Sequence, residues 1–125
     1  MSQPFEQVAK QFVEYYYSVF DSNRNNLAPL YQPGSMLTFE GAQIQGTEAI
    51  VAKLVSMPFQ QVLHVITSQD AQPLPNGGII VFVMGQLKVN QDPPLTFSQC
   101  FTLFQTTEGS YYVQNDMFRL GLHNG

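Results

Sequence analysis

The second half of the chain carries four long runs that alternate like half-buried strands. They lie at Val62 to Ala71, Ile79 to Asn90, Leu95 to Gln105 and Tyr111 to Leu120. Between them stand Pro73-Leu74-Pro75-Asn76-Gly77-Gly78, Gln91-Asp92-Pro93-Pro94 and Thr106-Thr107-Glu108-Gly109, each of them turn chemistry. Connections this short cannot carry a parallel crossover, so the four runs are expected to form an antiparallel meander. A sheet of that kind must bury one face, and the segments available to cover it lie in the first half.

The first half supplies helices. Phe5, Val8, Phe12, Tyr15, Tyr16 and Val19 recur at spacings of three and four, with Pro4 suited to the first turn and Glu6 to its dipole. Asp21-Ser22-Asn23 should end that helix. A short second helix near Arg24 to Tyr31 is disturbed by Pro29, and Pro33-Gly34 reads as a turn. Met36 to Glu40 alternates like a short strand, and Gly41 to Gly46 reads as a tight connection carrying Ile44. Thr47 is a good N-cap for a helix whose apolar face is Ile50, Val51, Leu54 and Val55, closed by Pro58. Helices first and sheet later is the α+β pattern, and 125 residues fit a single domain. A strongly bent, mainly antiparallel sheet with helices over its concave face gives a cone-like shape and encloses space. Met36, Phe39, Met57, Leu95, Met117 and Phe118 are the candidates to line that apolar cavity.

Charge excludes some partners. Net charge is −4 and the pI about 4.8. The five basic residues, Lys10, Arg24, Lys53, Lys88 and Arg119, are scattered, which argues against nucleic-acid binding. Only 11% of residues are charged, against about 25% in average domains, so part of the surface is expected to be covered by another copy or by partners. Cys100 is the one cysteine, which rules out an internal disulfide and a four-cysteine zinc site and reads as a small core hydrophobe. No signal peptide and no run of 18 apolar residues is present, so a soluble intracellular chain without membrane insertion is expected.

Few residues suggest chemistry. Phosphate loops, dinucleotide fingerprints and nucleophile elbows are absent. His123 reads as solvated, while His64 shares a strand face with Val62 and Ile66 and reads as structural or partner-facing. Asp116 sits among large apolar residues and must be paired or protonated. It is either a hydrogen-bonded structural carboxylate or, with His64, an acid–base pair of an isomerase or dehydratase. Glu40 and Asp92 are either plain solvated charges or an acidic rim around an apolar opening.

Four collinear blocks then carry a resemblance. Phe12-Val13-Glu14-Tyr15-Tyr16-Tyr17-Ser18-Val19-Phe20-Asp21, Met36-Leu37-Thr38-Phe39-Glu40-Gly41, Met57-Pro58-Phe59-Gln60-Gln61 and Asn115-Asp116-Met117-Phe118-Arg119-Leu120 resemble the nuclear transport factor 2 family over essentially the whole chain. The resemblance implies a homodimer packed through its sheets. It implies a nuclear import carrier, not an enzyme, that binds the GDP form of the small GTPase Ran and the phenylalanine–glycine repeats of nuclear pore proteins. Cytoplasm and nucleus, with concentration at the nuclear pore complex, are the implied locations, and no cofactor is implied. Carried over by residue, the Ran-binding cavity is Phe39, Met57, Val62, Leu95, Met117 and Phe118. Its acidic rim is Glu40 and Asp92 with His64 nearby, and the repeat-binding residues are Phe5 and Asp21. Phe39 and Phe5 stand where tryptophan is familiar in the family, and Asn90 replaces one member of a common acidic cluster. An adaptor of messenger RNA export, as in larger relatives, is a further reading.

Overall fold

The computed structural model describes residues 4–58 and 61–121. Helix α1 (Pro4–Ser22) is followed by a 3-10 helix (Arg24–Leu30), strands β1 (Tyr31–Phe39) and β2 (Ala42–Gln45), and helix α2 (Thr47–Val55). The rest is sheet: β3 (Val62–Pro73), β4 (Ile79–Val89), β5 (Leu95–Gln105) and β6 (Tyr111–Leu120). The six strands form one open sheet in the order β2-β1-β6-β5-β4-β3. The expected meander is present, since β3 to β6 pair consecutively and antiparallel. The β1–β6 pair alone is parallel, so the sheet is mixed but mainly antiparallel, and the fold is α+β.

α1 packs on the sheet because its apolar positions fall on one stripe. Ala9, Phe12, Val13, Tyr16, Tyr17 and Phe20 are buried, and Tyr15, on the opposite side, is 55% exposed. They meet the inward side chains of the strands, among them Val81, Val83, Phe97, Phe101 and Leu103. Each fully buried aromatic or branched side chain contributes about 1.5–3 kcal/mol, so this seam contributes strongly to stability. The sheet bends where its register shifts, between Tyr31 and Met36, Ile66 and Ser68, and Thr102 and Leu103. At the second of these, Gly85 lies opposite Ile66, and a Cβ there would run into the Val65 carbonyl oxygen. Only glycine lets the two backbones approach so closely.

Four local expectations need correction. Gly41 to Gly46 is not a simple connection, because Ala42–Gln45 pairs with Met36–Phe39 as a second strand. Pro33-Gly34 lies inside β1, where it forms a bulge held by the Ser35 hydroxyl, which donates to the Val113 carbonyl at 2.5 Å. Gly46, not Thr47, caps α2, and it does so without a side-chain bond at a φ of 95°. α2 ends at Val55 with Ser56 as its C-cap, before Pro58. The tail containing His123 lies outside the described residues, as do Phe59 and Gln60.

Candidate functional site

Strand alternation carries one set of side chains into the concave end of the sheet. Leu37 and Phe39 of β1, Val62 and His64 of β3, Leu87 and Val89 of β4, Leu95 and Gln99 of β5, and Phe118 and Leu120 of β6 surround a cavity. Phe20 of α1, Leu54 of α2 and Met57 close it from the helical side. Its volume is about 120 Å³. An apolar cavity of roughly 150 Å³ accommodates benzene, so this lumen is sized for one aromatic ring. Phe39 lies flat on Phe118 at 4.8 Å between centroids, and Phe118 lies nearly flat on Phe97 at 5.7 Å. The Lys53 ammonium sits 5.5 Å from the Phe39 centroid, a cation over the outermost ring of that stack.

Two acids flank this cavity. Glu40 follows Phe39 at a φ of 51°, and its carboxylate accepts the Leu120 amide at 2.6 Å. Phe39 and Leu120 both line the lumen, so Glu40 stands at its edge. Asp92 is exposed in the β4–β5 turn, between the lining residues Val89 and Leu95. Asn90 in that turn has a φ of 53°, its amide donates to the Gln61 carbonyl at 2.9 Å, and its Oδ1 accepts the Gln61 amide at 3.1 Å. Asparagine tolerates the left-handed region better than most residues, so Asn90 ties the turn to the start of β3 while adding no charge.

The polar groups behind the cavity form two separate arrangements. His64 Nδ1 lies 2.6 Å from Asp21 Oδ1, and the His64 amide donates to Asp21 Oδ2 at 2.9 Å. The His64 ring packs against Tyr17, Phe20 and Phe97, and its side chain is 3% exposed. His64 is therefore part of the wall and not of a solvated rim. The second arrangement centres on Asp116. Its Oδ2 accepts from Tyr31 at 2.8 Å and from Tyr16 at 3.3 Å, and its Oδ1 accepts the Gln99 amide nitrogen at 2.7 Å. Gln99 Oε1 in turn accepts from Tyr17 at 2.6 Å. Burial pushes the Asp116 carboxyl up to about 6, against the lowering effect of the Gln99, Tyr31 and Tyr16 hydrogen bonds. Burial, and then the Asp116 charge, hold the Tyr31 hydroxyl well above its ordinary value. These bonds join α1, β1, β5 and β6 across the core.

Several expected site residues land elsewhere. Met117 does not line the cavity: Asp116 and Phe118 point inward, so the residue between them faces out and is 53% exposed. Met36 is excluded in the same way by its neighbour Leu37, which is 1% exposed. The supposed acid–base pair does not form, because Asp116 is tied to Tyr16, Tyr31 and Gln99 while His64 is tied to Asp21. Phe5 and Asp21 lie at opposite ends of α1. They sit sixteen positions apart on α1, about 24 Å at 1.5 Å per residue, and Asp21 is held by His64. Phe5 is half-buried against the core. Cys100 is half-buried on the outer sheet face, across from Met117 and Phe82. On that face Leu63, Val65, Phe82, Met84 and Met117 are between 42% and 56% exposed. No cluster of metal-ligating side chains occurs among the described residues, and none of their helices is long and apolar enough to cross a membrane.

An open sheet curled over helices, with a ring-sized apolar socket at its concave end, defines a cone-shaped α+β binding domain. The family model of the nuclear transport factor 2 (NTF2) domain matches residues 8–120. Nuclear transport factor 2B of Arabidopsis thaliana is 56% identical over 115 residues, covering 90% of this chain and 91% of its own. Nuclear transport factor 2 of Neurospora crassa is 53% identical over 123 residues, covering 98% and 99%. The solved structure of nuclear transport factor 2 from Cryptosporidium parvum superposes with a TM-score of 0.92 at 46% identity, covering 97% of this chain and 98% of that one. The chain belongs to the nuclear transport factor 2 family, and its role is that of a nuclear import carrier and not of an enzyme.

Proposed function

We propose that the cavity is the socket for an aromatic side chain of Ran in its GDP form, and that Glu40 and Asp92 meet basic groups beside that side chain. The observation that carries this reading is the match of size and surroundings: a lumen of about 120 Å³ with apolar walls and an acid at its edge. A buried aromatic anchor supplies affinity, while rim charges steer encounter and fix orientation. Phe39, Met57, Val62, Leu95 and Phe118 are the socket walls in this account, and His64 is a fixed part of the lining. Phe5 is the contact for phenylalanine–glycine repeats. Asp21 is the second candidate contact for the repeats, and it also holds His64 in the socket wall. The outer sheet face with Met84 and Met117 is the homodimer seam, which accounts for so much exposed apolar surface. Such a carrier would concentrate at the nuclear pore complex and need no cofactor.

The test is capture of Ran loaded with GDP against Ran loaded with GTP. Selective capture of the GDP form is the expected result. Glu40→Lys should reduce it at least about a hundredfold, because like charges across an interface cost several kcal/mol. Glu40→Gln keeps the acceptor for the Leu120 amide and should lose far less. Equal capture of both nucleotide forms, or normal binding by a folded Glu40→Lys variant, would sink the proposal.

A further inference from the structure

The cavity has apolar walls but one unengaged polar atom. Asp21, when ionised, only accepts hydrogen bonds, so the proton between it and His64 sits on Nδ1 of the histidine. In the neutral ring Nε2 is then a bare acceptor. Among the described residues Asp21 is the hydrogen-bond partner of this ring, and it engages Nδ1. No side-chain nitrogen or oxygen among the described residues is both sealed from solvent and unpartnered, so Nε2 opens onto free space. His64 lines both this cavity and the outer groove that Asp21 lines, and because its Nδ1 edge is turned to Asp21, the opposite Nε2 edge is the one left for the lumen. The other polar lining group, Gln99, has its oxygen taken by Tyr17 and its nitrogen donating to Asp116.

We propose that this cavity also binds free phenols, a single aromatic ring bearing one hydroxyl, with the hydroxyl donating to Nε2 of His64. The volume of about 120 Å³ limits the ligand to one ring. The walls and the Phe39–Phe118 stack take its faces, and the lone acceptor selects a ring that brings a donor. A carboxylate is disfavoured, because it would face an acceptor nitrogen backed by the Asp21 charge. Asp21 acts as a positioning residue here: it fixes the tautomer and never touches the ligand.

Phenol and toluene are the probes, titrated by NMR into the full chain without any protein partner. Both should shift amides around Leu37, Phe39, Leu95 and Phe118, while only phenol should shift the His64 imidazole Nε2 resonance. In His64→Phe, phenol binding should fall at least about fivefold relative to toluene, the cost of leaving a buried hydroxyl unpaired. Should that variant misfold, the Nε2 resonance of the unmodified chain decides alone. Absence of phenol binding, equal Nε2 responses to both ligands, or parallel losses in the variant would each overturn the proposal. Ran is not in the tube, so failure here leaves the protein-partner reading standing, and loss of Ran binding in Glu40→Lys says nothing about phenol.

Discussion

Replacing Asp116 with asparagine should remove a contribution that stabilises the folded chain at low pH, and so steepen its loss of stability in acid. Burial raises its carboxyl from the ordinary 3.8 to about 6. A raised carboxyl binds its proton more readily in the folded chain than in the unfolded one, so stability is greatest below the unfolded value. It declines as pH rises through the folded value and is level above that. Two units of difference correspond to about 3 kcal/mol at most between those limits. Asparagine removes the titration and can keep the network, because the Gln99 amide can turn to present its oxygen while the Tyr17 hydroxyl becomes an acceptor. Urea denaturation of both proteins at fixed concentration, from about pH 4 to about pH 7, isolates the effect, since the other carboxylates are common to both. The wild-type minus variant difference should shift by up to about 3 kcal/mol across that range, in favour of the variant as pH rises. A pH-independent difference would refute the claim that Asp116 is desolvated in the folded chain.

Two further predictions concern the surface. Met84→Lys places a charge in the exposed apolar face of β4, and if that face is the proposed dimer seam it should yield a folded monomer by sedimentation where the parent sediments as a dimer. Asn90→Asp restores a charge beside Asp92 while keeping an acceptor for the Gln61 amide, and should raise the association rate for Ran-GDP a few-fold at low ionic strength, with the gain fading in salt.

How much of this was legible in the sequence follows from the range of each signal. α1 was readable because a 3.6-residue period fixes its buried stripe, and the four long strands because a two-residue period and turn residues bound them. β2 was hidden, since Ala42-Gln43-Ile44-Gln45 is short, polar and flanked by glycines that read as a turn. The start of β1 was masked by Pro33-Gly34, which mark a bulge within a strand. Five expected cavity residues, Phe39, Met57, Val62, Leu95 and Phe118, do line one lumen, and the other two, Met36 and Met117, could have been excluded from sequence, because neighbours in a strand face opposite sides. The His64–Asp21 pair, 43 positions apart, and the Asp116 network, reaching back 100 positions to Tyr16, needed the tertiary fold. Leu87, Val89 and Leu120 were legible only as strand residues, because the bend that gathers them comes from register shifts without a sequence period.

The most direct test of the socket is to fill it. Leu95→Trp places an indole in a lumen of about 120 Å³ while leaving Glu40 and Asp92 in place. Calorimetric titration with Ran-GDP should show affinity lowered about thirtyfold or more, the loss of a central anchor worth at least about 2 kcal/mol, with circular dichroism and sedimentation unchanged. Unchanged affinity with the lumen demonstrably filled would contradict the account.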